Sequence, residues 1–127
     1  MDMKAEVKLK QVLAANTAHA VILVGATDFE FENYVRLSAD IDERELHIPM
    51  HWHKLLEMKA KKPKAYLIVD GLESLDRQEQ GKFAGLLKDR RAGNYKLPAN
   101  VQIVIPVVQR DKVSAQIQSL ALVWEVK

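Results

Sequence analysis

The stretch Ala65-Tyr66-Leu67-Ile68-Val69-Asp70 decides how the rest of this sequence is interpreted. A run of apolar residues that ends in one carboxylate is typical of a buried parallel strand. Such a strand delivers its last side chain to the carboxyl edge of the sheet, where open α/β sheets bind their ligands. Asp70 is therefore the first candidate for a functional residue.

Helical and strand patterns alternate on both sides of this stretch. The further predicted strands are Ala20 to Gly25, Glu45 to Ile48, Val101 to Ile105 and Leu122 to Val126. The predicted helices run over Met3 to Ala15, from Thr27 to about Ala39, around Trp52, Leu55 and Leu56 to Lys62, through Phe83, Leu86 and Leu87, and from Asp111 to Ser119. This alternation predicts an α/β fold: a three-layer sandwich with a five-stranded parallel sheet.

Length and composition fit one domain over residues 1–127. The chain has no cysteine, which excludes disulfides, thiolate metal sites and cysteine nucleophiles. Its start lacks the apolar block of a signal peptide and its apolar runs are strand-sized, so we expect a cytoplasmic protein that does not enter membranes. The 19 basic and 17 acidic residues give a net charge of +2, and this balance argues against a nucleic-acid partner.

Several stretches in the second half of the chain resemble AAA+ ATPases, and most closely the MoxR-like and dynein-related branch. They are Tyr66 to Glu73, Asp76-Arg77-Gln78-Glu79, the Leu86-Leu87 pair and Tyr95 to Val101. In that branch a Walker B strand, a helix and an "LP-x-NV" strand follow in this order. The resemblance implies a P-loop NTPase-like fold, with the Asp70 strand between the Glu45 and Val101 strands and the Ala20 strand beyond Val101.

The phosphate loop that the resemblance implies is degenerate here. It would begin at Gly25, and of the pattern G-x-x-x-x-G-K-[ST] only this first glycine remains. Glu30, Phe31 and Glu32 replace the second glycine, the lysine and the magnesium-binding hydroxyl. Together with Asp28, these glutamates place three carboxylates at the predicted helix start, where they would repel a triphosphate.

The other working parts of the family are also incomplete. Asp70 stands at the magnesium position, but Gly71 replaces the glutamate that would polarise water. Pro106-Val107-Val108 follows the Val101 strand where a polar sensor residue would be, and Ser119 to Leu122 lacks an arginine. We also expect no helical lid after the last strand.

These losses predict a non-catalytic, pseudo-ATPase module that acts by protein–protein interaction or self-association. We expect no catalytic residue and no cofactor, unless Gly25, Thr27 and Asp70 retain residual binding of ATP and magnesium. One alternative is a weak nucleotide- or metal-dependent phosphohydrolase that uses Asp70. Another is a receiver-like signalling domain, which would place the Ala20 strand between the Glu45 and Asp70 strands. Asp70 can also be interpreted simply as a cap for the turn at Gly71.

Three histidines raise the question of a metal site. His47, His51 and His53 lie close in sequence, and imidazoles are common metal ligands. Pro49 and the predicted helix at Trp52 break the spacing that would bring them together. We therefore expect surface histidines and no metal.

The basic run from Lys59 to Lys64 contains four lysines and is flanked by Trp52 and Tyr66. Such a run could contact phosphates. Because Tyr66 begins a buried strand, no stacking platform for bases is visible from the sequence. We therefore interpret these lysines as a solvated helix end that complements the helix dipole.

Overall fold

The computed structural model describes residues 3–25, 30–47 and 51–125. Its helices are α1 (Met3–Ala15), α2 (Glu43–His47), α3 (His51–Lys59), α4 (Arg77–Gln80), α5 (Ala84–Asp89) and α6 (Ala115–Ser119). Its strands are β1 (Val21–Val24), β2 (Tyr34–Ser38), β3 (Ala65–Asp70), β4 (Arg91–Ala92), β5 (Tyr95–Lys96), β6 (Val101–Val107) and β7 (Leu122–Glu125). Short 3₁₀ turns connect several of these elements.

Five strands form one parallel sheet in the order β2-β3-β6-β1-β7. This confirms the predicted α/β class and the P-loop NTPase-like order, since β3 lies beside β6 and β1 lies beyond β6. A receiver would place β1 next to β3, so its strand order is absent from this sheet. The remaining strands, β4 and β5, form a separate antiparallel hairpin.

Helices cover both faces of the sheet. The larger core contains Phe83, Leu86 and Ile117 against strand residues such as Leu67 and Ile103. On the opposite face, α1 packs through its buried Leu9 and Leu13 onto a second cluster, which includes Val21, Leu23 and Val104. The sheet is therefore the middle layer of three, as the alternation of strands and helices predicted.

The predicted helix from Thr27 to Ala39 is wrong, because residues 34–38 form β2. Val35 and Leu37 are buried while Tyr34 and Arg36 are exposed, which is the period-two pattern of a strand. Thr27, the proposed cap of that helix, lies outside the described residues. The sequence Thr27-Asp28-Phe29-Glu30 has the spacing of a capping box and predicted a helix start, although the apolar residues Val35 and Leu37 alternate as in a strand.

The predicted strand from Glu45 to Ile48 is also wrong, because residues 43–47 form helix α2. The Asp42 carboxylate accepts a hydrogen bond from the Arg44 amide at 2.8 Å, which supports a helix start. Leu46 is the buried residue of this short helix. Ile48 lies outside the described residues.

The boundaries of three shorter elements, α4, α6 and the hairpin of β4 and β5, can be compared with the sequence. The Asp76 carboxylate caps α4 by accepting a hydrogen bond from the Glu79 amide at 2.7 Å. The last predicted helix is shorter than expected, because Ser114 caps it and only residues 115–119 are α-helical. The turn-rich connection from Gly93 to Asn100 takes part in the hairpin of β4 and β5.

Candidate functional site

Gly25 follows β1 at the carboxyl edge of the sheet, where a phosphate loop would begin. Its φ of 82° lies in the left-handed region that favours glycine. Its amide donates a hydrogen bond to the Val107 carbonyl at 2.9 Å, so this amide is already used within the sheet. Thr27, the second predicted binding residue, lies outside the described part of the chain.

Asp70 ends β3 at the same edge and is exposed. Its carboxylate lies 3.7 Å from the Arg36 guanidinium on the neighbouring strand, and its carbonyl accepts from the Ala39 amide at 2.7 Å. Gly71 follows with a φ of 86°, which turns the chain away from the sheet. Because β6 lies between β1 and β3, Gly25 and Asp70 stand about 10 Å apart across the edge.

Glu73 is a site residue that the sequence did not single out. Its carboxylate accepts hydrogen bonds from the Val108 amide at 2.9 and 3.1 Å and from the Gln109 amide at 2.9 Å. These amides follow β6 at the carboxyl edge, where backbone donors could otherwise meet an anion. The protein's own carboxylate therefore occupies them.

The link between β1 and β2 is too short for the helix that follows a phosphate loop. The two strands lie three strand spacings apart, about 14 Å, and the chain must also return along the sheet by about 15 Å. Residues 25–33 reach about 13 Å as a helix and about 30 Å when extended. The described residues 30–33 of this link are not helical.

Phe31 occupies the position of the phosphate-binding lysine, yet it lies far from Asp70. Its ring packs against Tyr66 with centroids 5.0 Å apart, beside the cluster under α1. Tyr66 is near the start of β3, about 13 Å along the strand from Asp70. Phe31 therefore lies toward the amino edge of the sheet and not beside Asp70.

A buried glutamine holds the segments beside this edge together. The Gln80 side chain donates to the Leu75 carbonyl at 3.0 Å and to the Lys112 carbonyl at 2.8 Å, and it accepts from the Ser114 amide at 2.7 Å. Gln80 is fully buried. A lone glutamine in a polar helix gave no sequence signal for this role.

The histidines do not form a metal site among the described residues, where no group of three His, Cys, Asp or Glu side chains could hold an ion. The expectation of surface histidines is wrong for His53, which is 4% exposed and stacks on Tyr95 with ring centroids 4.2 Å apart. Its Nε2 lies 3.4 Å from the Leu46 carbonyl oxygen. Burial lowers the pKa of His53 below its ordinary value.

Comparisons with known proteins bear on the fold. No protein-family model and no curated protein sequence match this chain. Among solved structures, it is similar to the crystal structure of a DNA polymerase III gamma subunit-related protein from Thermotoga maritima MSB8. The TM-score is 0.62 at 15% sequence identity, over 97% of this chain and 46% of that one. The chain has a P-loop NTPase-like fold. It spans about half the length of that structure, and a likeness at this identity concerns the fold alone.

One further finding concerns membranes. Within the three described ranges, no helix combines the length and the apolar character needed to cross a bilayer.

Proposed function

We propose that this chain is a non-catalytic AAA+-like module that acts through contacts with proteins, either another protein or further copies of itself. The observation that carries the proposal is the short link between β1 and β2. A phosphate site of this fold needs a loop that leads into a helix N-terminus, but only residues 25–33 separate the two strands, and the described residues 30–33 among them are not helical.

Charge at the carboxyl edge supports the same proposal. The segments at this edge carry acidic side chains, which include Asp40, Asp70, Asp76, Asp111 and Glu125. Arg36 and Arg110 already pair with Asp70 and Glu125 at 3.7 and 3.3 Å. The same segments also carry Arg77 and Lys112, so the charge at this edge is mixed. A polyphosphate would still meet these carboxylates without the lysine and hydroxyl that neutralise it in active relatives of the fold.

The proposal includes four more specific statements. The phosphate loop is degenerate, the nearest branch is the MoxR-like and dynein-related one, and neither ATP nor magnesium is a resident cofactor. The protein is cytoplasmic, because a cysteine-free chain needs no oxidising compartment.

Calorimetric titration with ATP and magnesium tests the loss of nucleotide chemistry. We expect no heat of binding up to millimolar ATP, and no phosphate release above background in a parallel hydrolysis assay. Micromolar binding that disappears in Asp70→Asn would overturn the proposal in favour of a phosphohydrolase that uses Asp70. The Asp76→Asn variant is the matched control, because its carboxylate caps α4 rather than ending a strand.

Sedimentation velocity over a hundredfold range of protein concentration tests self-association. A sedimentation coefficient that rises with concentration would support assembly of this chain with itself. A constant monomeric value would exclude self-association and leave a different protein as the partner.

A further inference from the structure

The amino edge of the sheet, opposite the candidate site, carries a basic loop between α3 and β3. Lys59, Lys61 and Lys62 are exposed, and Lys64 is half-buried. None of these four lysines forms an ion pair with a described residue. Four of the 19 basic residues therefore lie within six positions, although the net charge of the chain is nearly balanced.

Two asparagines fix the backbone of this loop. The Asn33 side-chain amide donates to the Lys59 and Lys64 carbonyls, both at 2.8 Å. The Asn100 side-chain amide donates to the Ala60 carbonyl at 2.9 Å and to the Lys62 carbonyl at 2.6 Å. Four carbonyl oxygens of the loop therefore accept hydrogen bonds from these two side chains, and the lysine side chains extend from a backbone that is held in place.

A cavity of about 530 Å³ opens beside this loop. Lys10, Lys62 and Lys64 contribute basic groups to its wall, and Phe31 and Tyr66 contribute aromatic rings. This volume lies within the usual range of roughly 300–1,000 Å³ for ligand sites. The Lys64 ammonium lies 5.3 Å from the centre of the Tyr66 ring and donates to the Thr17 hydroxyl at 2.7 Å.

We propose that this cavity and the adjoining lysine loop bind single-stranded nucleic acid, with a base against the aromatic wall and phosphates on the lysines. Tyr66 is the decisive residue, because the sequence placed it in a buried strand whereas the structure leaves it half-buried on the cavity wall. Lysines that follow a backbone, together with aromatic rings that contact bases, are the usual means of binding a single strand. The balanced composition does not oppose this, since the charge is local.

Two acidic residues, Glu30 and Glu32, also line the cavity and provide a further test of the proposal. Glu32 lines the same cavity as Tyr66, and the pKa of Tyr66 is raised by burial and by the Glu32 carboxylate. A bound phosphate would be repelled by this group. Removal of the Glu32 charge should therefore tighten the binding of nucleic acid by a few fold.

Fluorescence anisotropy with a labelled 15-nucleotide single strand tests the proposal. If Lys10, Lys62 and Lys64 each neutralise one phosphate, affinity should fall about 20-fold between 50 and 200 mM salt, since the slope is roughly −0.7 per contact. Lys62→Ala should weaken binding at 50 mM salt and reduce this fall to about 7-fold. Glu32→Gln should tighten binding, and Lys112→Ala, at the opposite edge of the sheet, should leave it unchanged.

Three results would overturn the proposal. These are absence of binding at 50 mM salt, binding that Lys62→Ala leaves unaltered, and competition by polyglutamate as effective per charge as competition by an unlabelled oligonucleotide. The last result would indicate an acidic peptide as the ligand. A fourth result, equal affinity for a duplex of the same sequence, would also overturn it, because the aromatic wall would then contact no unpaired base. None of these outcomes depends on the carboxyl edge, so the proposed loss of ATPase chemistry is tested separately.

Discussion

Glu73 offers a quantitative test of whether a side-chain carboxylate holds the backbone amides at the carboxyl edge of the sheet. Its carboxylate accepts from the Val108 and Gln109 amides at 2.9 Å each, with a further contact of 3.1 Å to the first. A hydrogen bond to a charged group contributes about 1.5–3 kcal/mol, and Glu73 is only half-buried. We therefore expect Glu73→Ala to lower the free energy of unfolding by about 2 kcal/mol. Glu73→Gln, whose amide oxygen replaces the carboxylate, should cost about half as much.

Urea denaturation monitored by tryptophan fluorescence and circular dichroism measures this effect. With an m-value of about 2 kcal/mol/M, the midpoint of Glu73→Ala should shift down by about 1 M without a change in slope. Glu79→Ala, an exposed acidic residue on α4, is the matched control and should shift the midpoint by less than about 0.3 M. An equal shift for the two alanine variants would refute the anchoring role of Glu73.

Four further predictions concern positions away from this carboxylate. Gly93→Ala should lower the free energy of unfolding by about 2 kcal/mol in urea, because Gly93 has a φ of 61° and an added Cβ would collide with the His47 carbonyl. Gly85→Ala, inside α5 with open space around it, should instead raise stability by about 0.5–1 kcal/mol, and the same sign for both glycines would contradict this. Burial lowers the pKa of His53 below its ordinary 6.5, so the unfolded chain binds a proton on this imidazole more readily than the folded chain. The free energy of unfolding should therefore be highest above pH 6.5 and fall as the pH decreases below it. In thermal melts from pH 8 to 5, His53→Phe should lose this part of the pH dependence of stability. An unchanged pH profile in the variant would contradict the role of His53. Gln80→Ala should cost about 3 kcal/mol in urea, since it leaves buried backbone groups without partners, and a cost under about 1 kcal/mol would show that water replaces the side chain.

Much of the fold could be predicted from the sequence because its central strands are long apolar runs. The strand that ends at Asp70 and the strand that begins at Val101 are buried on both faces. Such strands are continuous apolar runs, which can be recognised from neighbouring residues in the sequence. The Asp70 strand and the alternation around it predicted the parallel sheet, whereas the strand order followed from the resemblance to AAA+ ATPases. Residues near the edge strand β2 were less informative, since the cap-like spacing at Thr27 competed with the alternation from Tyr34 to Ser38.

The candidate site was harder to predict because its contacts join residues distant in sequence. Glu73 meets the amides of Val108 and Gln109 only after β3 and β6 pair in the sheet. The cavity wall likewise joins Lys10 to Lys64 and Tyr66 through the packing of α1. Sequence spacing gave no indication of these contacts, whereas the absence of the pattern G-x-x-x-x-G-K-[ST] can be seen in the sequence itself.

The most direct test of the central claim is an amide NMR titration of the labelled protein with ADP, ATP and magnesium. If the carboxyl edge does not accept polyphosphate, the resonances of Gly25, Gly71 and Val108 should stay in place up to millimolar nucleotide. Saturable shifts confined to these amides, with an affinity in the micromolar range, would contradict the account.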